Sequence, residues 1–216
     1  MIFQLDERIL FPNPRLGEPD GFFAVGGDLS IPRLLLAYRN GIFPWYSFRD
    51  WNEIHWYCPM KRFVIFPSEI HVSHSMRTLM RKDLYKITIN KAFPEVIHAC
   101  GIADGRDEME GAWLGPHIEK AYTELHRMGY ALSVEVWQDE NLVGGLYGVT
   151  MGRAFIGESM FSFVPSGSKL ALIYLARAMQ ASGGSMIDCQ LHTPHLESMG
   201  ARYIDYDEYM KILTSP

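Results

Sequence analysis

Cysteine is scarce in this chain. Three occur in 216 residues, Cys58, Cys100 and Cys189, far apart and odd in number. That usage fits a reducing compartment and not the disulfide framework of a small secreted domain. No apolar run reaches the roughly 18 residues that a membrane-spanning helix needs. The first eight residues carry Asp6 and Glu7 and show no secretory signal. The expected location is therefore the cytoplasm, away from any membrane. Basic residues are outnumbered as well: 20 Lys and Arg against 25 Asp and Glu, a net charge of −5. A chain with that balance does not coat nucleic acid through bulk charge. Internal repeats and low-complexity segments are absent. What is present is apolar material, 48% hydrophobic and 13% aromatic, enough for a sizeable core in one domain or in a small and a larger one.

The charge is unevenly spread. Residues 1–62 balance 7 basic against 7 acidic side chains, residues 63–100 carry 5 against 3, and residues 101–216 carry 8 against 15. The basic excess gathers in Arg77, Arg81, Lys82, Lys86 and Lys91, opposed locally only by Asp83. Its plainest meaning is a solvated helix face; its sharper meaning is a small anion-contacting patch beside an acidic body.

Residues 1–62 are rich in Pro, Gly and aromatics and read as a small, loop-rich N-terminal domain. One helix stands out there. Ser30 can cap it, Pro32 suits its first turn, Leu34, Leu35, Ala37 and Tyr38 supply an apolar face, and Gly41 stops it. Residues 63–216 are more regular. Strands are expected at Phe63–Phe66, Tyr85–Ile89, Tyr130–Gln138, Leu142–Thr150, Arg153–Ser162, Met186–Gln190 and Arg202–Ile204. Helices are expected at Ser73–Lys82, Phe93–Cys100, Pro116–Met128, Ser168–Ala181, Pro194–Met199 and Tyr206–Leu213. The order predicts a mixed α/β (α+β) fold. It resembles the N-acetyltransferase (GNAT-type) core, an analogy that carries no chemistry by itself.

Several chemical signals are weak. Cys189, His192 and His195 have metal-ligand spacing but lack an obvious fourth ligand, and no metal is expected. Ser166-Gly167-Ser168-Lys169 matches an S-x-x-K pattern without its partner motifs. The same loop departs from the Q/R-x-x-G-x-G/A pattern of enzymes that use coenzyme A. Stronger signals lie in two apolar strands that each hold a carboxylate, Glu158 and Asp188. A third strand carries glycines at Gly144, Gly145 and Gly148, where a strand loses stability unless something must approach its backbone. Two carboxylates on neighbouring strands favour a site.

Long segments then become recognisable. They include Phe11-Pro12-Asn13-Pro14, Phe23–Ser30, Arg33–Tyr46, Trp56-Tyr57-Cys58-Pro59, Gly111-Ala112-Trp113, Ser133–Trp137, Gly144–Gly148, Gly157–Ser162 and Ile187–Gln190. In that order they resemble the leucyl/phenylalanyl-tRNA–protein transferase family, bacterial enzymes of the N-degron pathway. The resemblance implies transfer of Leu or Phe, and Met less well, from the 3′ end of aminoacyl-tRNA to proteins that begin with Arg or Lys. It implies no cofactor: no ATP, metal or coenzyme A. It places a donor side-chain pocket at Leu146, Phe155, Met160, Leu172, Leu175 and Ile187, with Leu146 and Leu175 where some relatives have Met and Phe. It places adenosine stacking on Trp45 and Trp113, tRNA backbone contacts on Arg77, Arg81 and Lys82, and a catalytic pair at Asp188 and Gln190. Glu158 is expected to meet the cationic acceptor. Gln190 cannot be a strong base, because a neutral amide hardly accepts a proton, so it is expected to position a reactant while Asp188 orients it. The enzyme is expected to be a monomer. The alternatives are an acyl-CoA-dependent N-acetyltransferase and a non-catalytic module that binds N-terminal Arg or Lys.

Overall fold

Two mixed sheets share the chain. The computed structural model describes residues 1–45, 53–103 and 114–215. The first sheet holds β1 (Phe3–Leu5), β2 (Phe22–Gly26), β3 (Phe43–Trp45) and β4 (His55–Tyr57), in the order β1-β2-β4-β3. Sequence reasoning foresaw only the helix of this region, α1 (Ile31–Arg39), which sits between β2 and β3. The strands span only 3 to 5 residues, too short for an alternating pattern to show. In α1, Leu34, Ala37 and Tyr38 are buried as expected. Ser30 occupies the cap position, but its hydroxyl makes no bond to the first turn. Gly41 follows with a φ of 70°, and a side chain there would meet the Tyr209 ring at 3.0 Å.

The large sheet begins with β5 (Lys61–Ile65), followed by α2 (His74–Arg81), β6 (Lys86–Ile89), α3 (Phe93–Ile102) and α4 (Pro116–Arg127). The antiparallel run β7 (Ala131–Gln138), β8 (Asn141–Met151) and β9 (Ala154–Ser162) leads into α5 (Gly167–Ala181). The chain continues through β10 (Met186–Asp188), α6 (Pro194–Ser198), β11 (Arg202–Asp205) and α7 (Tyr206–Leu213). The strand order is β11-β5-β10-β9-β8-β7-β6, with only β9 and β10 parallel. The expected mixed α/β architecture is thus observed. One expected strand is shorter than its pattern: β10 stops at Asp188, because Gln190 turns into the left-handed region with a φ of 60°.

Each face of the large sheet has its own apolar cluster. Tyr122 of α4, Phe93 of α3 and Tyr38 and Trp56 of the N-terminal region pack with Tyr147, Ile156 and Phe161. On the other face, Leu170, Leu172 and Leu175 of α5 and Met76 of α2 pack with Leu146, Phe155 and Ile187. The mid-strand glycines are explained by these layers. A side chain on Gly144 would lie 2.9 Å from the Gly167 backbone at the start of α5, and one on Gly148 would lie 2.5 Å from the Phe155 ring. It is the protein itself that approaches the backbone there.

Candidate active site

The site begins with a fault in the sheet. Tyr147 pairs with Ser159 and Gly148 with Gly157, so Glu158 is an extra residue in β9. Such a bulge re-aims side chains. In a regular strand Phe155 and Met160, five apart, would face opposite sides. The extra residue brings both to one face, where both line the same cavity. That cavity opens where parallel neighbours separate. Asp188, the last residue of β10, pairs with Ile156, while β9 continues to Ser162. Ligands of open α/β sheets commonly bind outside the carboxyl ends of strands. The cavity encloses about 450 Å³, and Leu146, Phe155, Met160, Leu172 and Ile187 form its apolar wall. Leu175 does not line it; it is buried in the core on the same side of the sheet.

Glu158 stands at the mouth of this cavity and also lines a smaller groove of about 170 Å³ with Phe43, Trp45, Gln190 and Leu191. Tyr38 donates to Glu158 Oε1 at 2.8 Å, Tyr122 to Oε2 at 3.1 Å, and the Gln190 amide to Oε1 at 3.2 Å. The two tyrosine hydroxyls also meet each other; with one proton apiece, all three links of this triangle are filled only when Glu158 itself carries a proton. Some of the Glu158 surface remains open to the cavity, yet its carboxyl is enclosed by protein. Burial therefore pushes its pKa up, to about 7, with Asp188 adding repulsion and the three hydrogen bonds working the other way. Burial and the nearby carboxylate likewise hold Tyr38 and Tyr122 well above the ordinary tyrosine range. A carboxylate balanced near neutrality between two cavities is suited to take and return a proton.

Beneath it, Asp188 is fully buried. Its Oδ2 is paired with the Arg62 guanidinium and accepts the Tyr209 hydroxyl at 2.9 Å; its Oδ1 accepts the Gln190 backbone N–H at 2.8 Å. Asp188 thus reaches Gln190 through the backbone and not through the side-chain amide. Burial works against the Arg62 charge, but Asp188 outweighs it and holds the guanidinium above its ordinary pKa.

Comparison with known proteins decides the lineage. Residues 64–214 match the family model described as Leucyl/phenylalanyl-tRNA protein transferase, and residues 27–60 match the model of its N-terminal domain. A protein named leucyl/phenylalanyl-tRNA–protein transferase from Syntrophobacter fumaroxidans is 47% identical over 98% of this chain and 89% of its own length. Its namesake from Syntrophus aciditrophicus is 48% identical over 98% and 87%. The chain belongs to the leucyl/phenylalanyl-tRNA protein transferase family. This is an enzyme family of aminoacyl transferases. Among solved structures, L-PGS from Bacillus licheniformis aligns with a TM-score of 0.45 at 12% identity over 80% of this chain and 54% of that one, too distant a likeness to carry an argument.

Within the family frame, the remaining expectations fall into place unevenly. Trp45 ends β3, half-buried in the groove beside Glu158, and its indole nitrogen has no partner among the described residues. Trp113 lies outside the described residues. Arg77 and Arg81 lie on α2 and Lys82 ends it; all three are exposed. His192 bonds to Glu197, Cys189 donates to the Ile187 carbonyl, and no cluster that could hold a metal occurs among the described residues. Nor is any described helix long and apolar enough to cross a membrane. Sequence reasoning missed Tyr38, Tyr122, Arg62 and Tyr209 as members of the site. Tyr38 read as part of an apolar helix face, and the rest carried no local signal.

Proposed function

We propose that the enzyme transfers Leu or Phe, and Met less well, from aminoacyl-tRNA to the α-amino group of proteins that begin with Arg or Lys, marking them for degradation. One observation carries this reading: Glu158 stands where an apolar cavity meets a groove walled by a tryptophan. The donor side chain enters the cavity, where burying a Leu or Phe side chain is worth about 1.5–3 kcal/mol. Met has the flexibility to follow the same walls. The terminal adenosine stacks on Trp45, with Trp113 as its second platform, and the ester carbonyl then lies at the junction beside Glu158 and Gln190.

The acceptor amine has a pKa of about 8 and is partly neutral near pH 7. Its nitrogen attacks the ester carbon. As the C–N bond forms, Glu158 takes a proton from the nitrogen; as the bond to the ribose oxygen breaks, that oxygen receives the proton. Tyr38 and Tyr122 steady the carboxylate, and Gln190 fixes its orientation. Holding amine and ester together supplies much of the acceleration. The acidic excess of residues 101–216 draws in the positively charged N-terminus. The two sheets divide between β4, which ends at Tyr57, and β5, which begins at Lys61, so a small N-terminal unit ends a few residues before the expected 62/63 boundary, which falls inside β5. The GNAT-like character of the larger part rests on its antiparallel run followed by the parallel β9–β10 pair.

The direct test is transfer of labelled Leu or Phe from charged tRNA to peptides beginning with Arg, Lys or Ala. Label is expected on the first two only; equal labelling of all three overturns the reading. Two further outcomes follow from the donor's contacts. Trp45→Ala should raise KM for Phe-tRNA roughly 5- to 150-fold, the loss of about 1–3 kcal/mol of stacking, with kcat little changed in steady-state assays. Arg77→Ala combined with Arg81→Ala should reduce the slope of log affinity against log salt by about 2 in tRNA binding titrations, about one per lost phosphate contact.

A further inference from the structure

Asp188 borders the cavity but has little left to offer a substrate, since three of its roughly four acceptor sites are taken. Its two oxygens are occupied by Arg62, the Tyr209 hydroxyl and the Gln190 N–H, and none of its surface is exposed. Protonating it would leave Arg62 as an isolated buried cation, a costly state. Arg62 is itself buried. It also donates to the Gly41 carbonyl, and its guanidinium lies 4.4 Å from the Tyr209 ring centre and 5.2 Å from that of Phe43. Gly41 is the turn that leads into the strand of Trp45. One guanidinium therefore ties together the tryptophan side of the site and the Gln190 side. Gln190 needs such a tie, because a non-glycine residue held at positive φ is strained and persists only when its surroundings impose it.

We propose that Arg62 and Tyr209 are positioning residues of the transfer reaction: they hold Asp188 as a fixed anion that locks the Gln190 backbone, so that the Gln190 amide meets Glu158, and Asp188 is not the proton acceptor. This rests on the transferase reading for its kinetic consequence, but not for its structural one. Neither Arg62 nor Tyr209 lines the cavity or the groove. Both act through Asp188.

The test is Tyr209→Phe, which keeps the ring against Arg62 and Gly41 and removes only the hydroxyl. Three measurements are made on the full-length enzyme. The kcat for transfer from Phe-tRNA to an Arg peptide should fall about tenfold with the donor KM unchanged, the signature of lost positioning in the transition state. The acid limb of the pH–rate profile should stay at its wild-type position. By amide hydrogen exchange, the Gln190 N–H should exchange about tenfold faster, while the Cys189 N–H, donated to the Phe63 carbonyl at 2.8 Å in the same corner, keeps its wild-type rate. Arg62→Lys, which keeps the charge but not the reach to Gly41, should give the same local pattern. The proposal is overturned if the acid limb moves, which would make Asp188 the titrating base. It is equally overturned if both amides speed up together, the mark of general loosening, or if kcat and Gln190 exchange are unchanged. Exchange does not depend on transfer. A wild-type enzyme that fails to transfer would sink the functional reading, while the exchange result still decides the role of Arg62 and Tyr209.

Discussion

Glu158→Gln should lower single-turnover transfer by about 100- to 10,000-fold, the range supplied by a positioned proton acceptor, and remove the part of the acid limb of the pH–rate profile that titrates near 7, leaving that of the amine at about 8. Gln is nearly isosteric; its oxygen can accept from one of the two tyrosines and its amide nitrogen donate to the other hydroxyl, so the loss would be chemical and not steric. The same change should stabilise the protein at alkaline pH. The folded pKa of about 7 lies above the ordinary 4.5. Between those values the native state binds more protons than the unfolded chain, so stability falls as pH rises from about 4.5 through 7. Above pH 7 the wild type carries a buried anion that the variant lacks, and the difference is at most about 3 kcal/mol, reduced where cavity water reaches the carboxylate. Urea unfolding at pH 5 and pH 8 measures it. Equal stability of variant and wild type at both pH values would contradict the raised pKa, and retained transfer would remove Glu158 from the chemistry.

Asp188→Asn should be the most destabilising conservative change in the site. It leaves Arg62 buried without its counter-charge, which costs about 3–5 kcal/mol and lowers Tm by roughly 10 °C in a chain of this size. Replacing both members of the pair, Arg62→Met with Asp188→Leu, should recover most of that stability, because an apolar pair needs no compensating charge. Transfer should not recover with it, since the Gln190 N–H then loses its acceptor. Thermal unfolding of Arg62→Met, Asp188→Leu and the double variant separates these contributions. Additive losses in the double variant would mean that the pair does not act as a unit.

Local pattern made much of this molecule legible. The apolar runs of β7, β8 and β9 and the apolar face of α5 are properties of neighbouring residues, and those elements form where they were expected. The carboxylates of Glu158 and Asp188 stood out because charge is rare in apolar strands. Their partners did not stand out. Tyr38 and Glu158 are 120 positions apart, and Arg62 and Asp188 are 126 apart; periodicity reports which face a residue occupies, not which distant residue meets it there. The bulge at Glu158 was equally invisible, since only pairing with β8 reveals the extra residue. Resemblance named the pocket residues, yet the structure separates Leu175 from the cavity wall. It also gives Asp188 a different relation to Gln190, through the backbone N–H.

Transfer depends on a carboxylate that titrates near neutrality where donor and acceptor meet. The most direct measurement is the titration of Glu158 itself, by carbon-13 NMR of the labelled glutamate carboxyl, free and with an Arg peptide bound. A midpoint near 7 that moves down when the cationic N-terminus binds agrees with the account. A midpoint near 4.5, indifferent to the peptide, contradicts it.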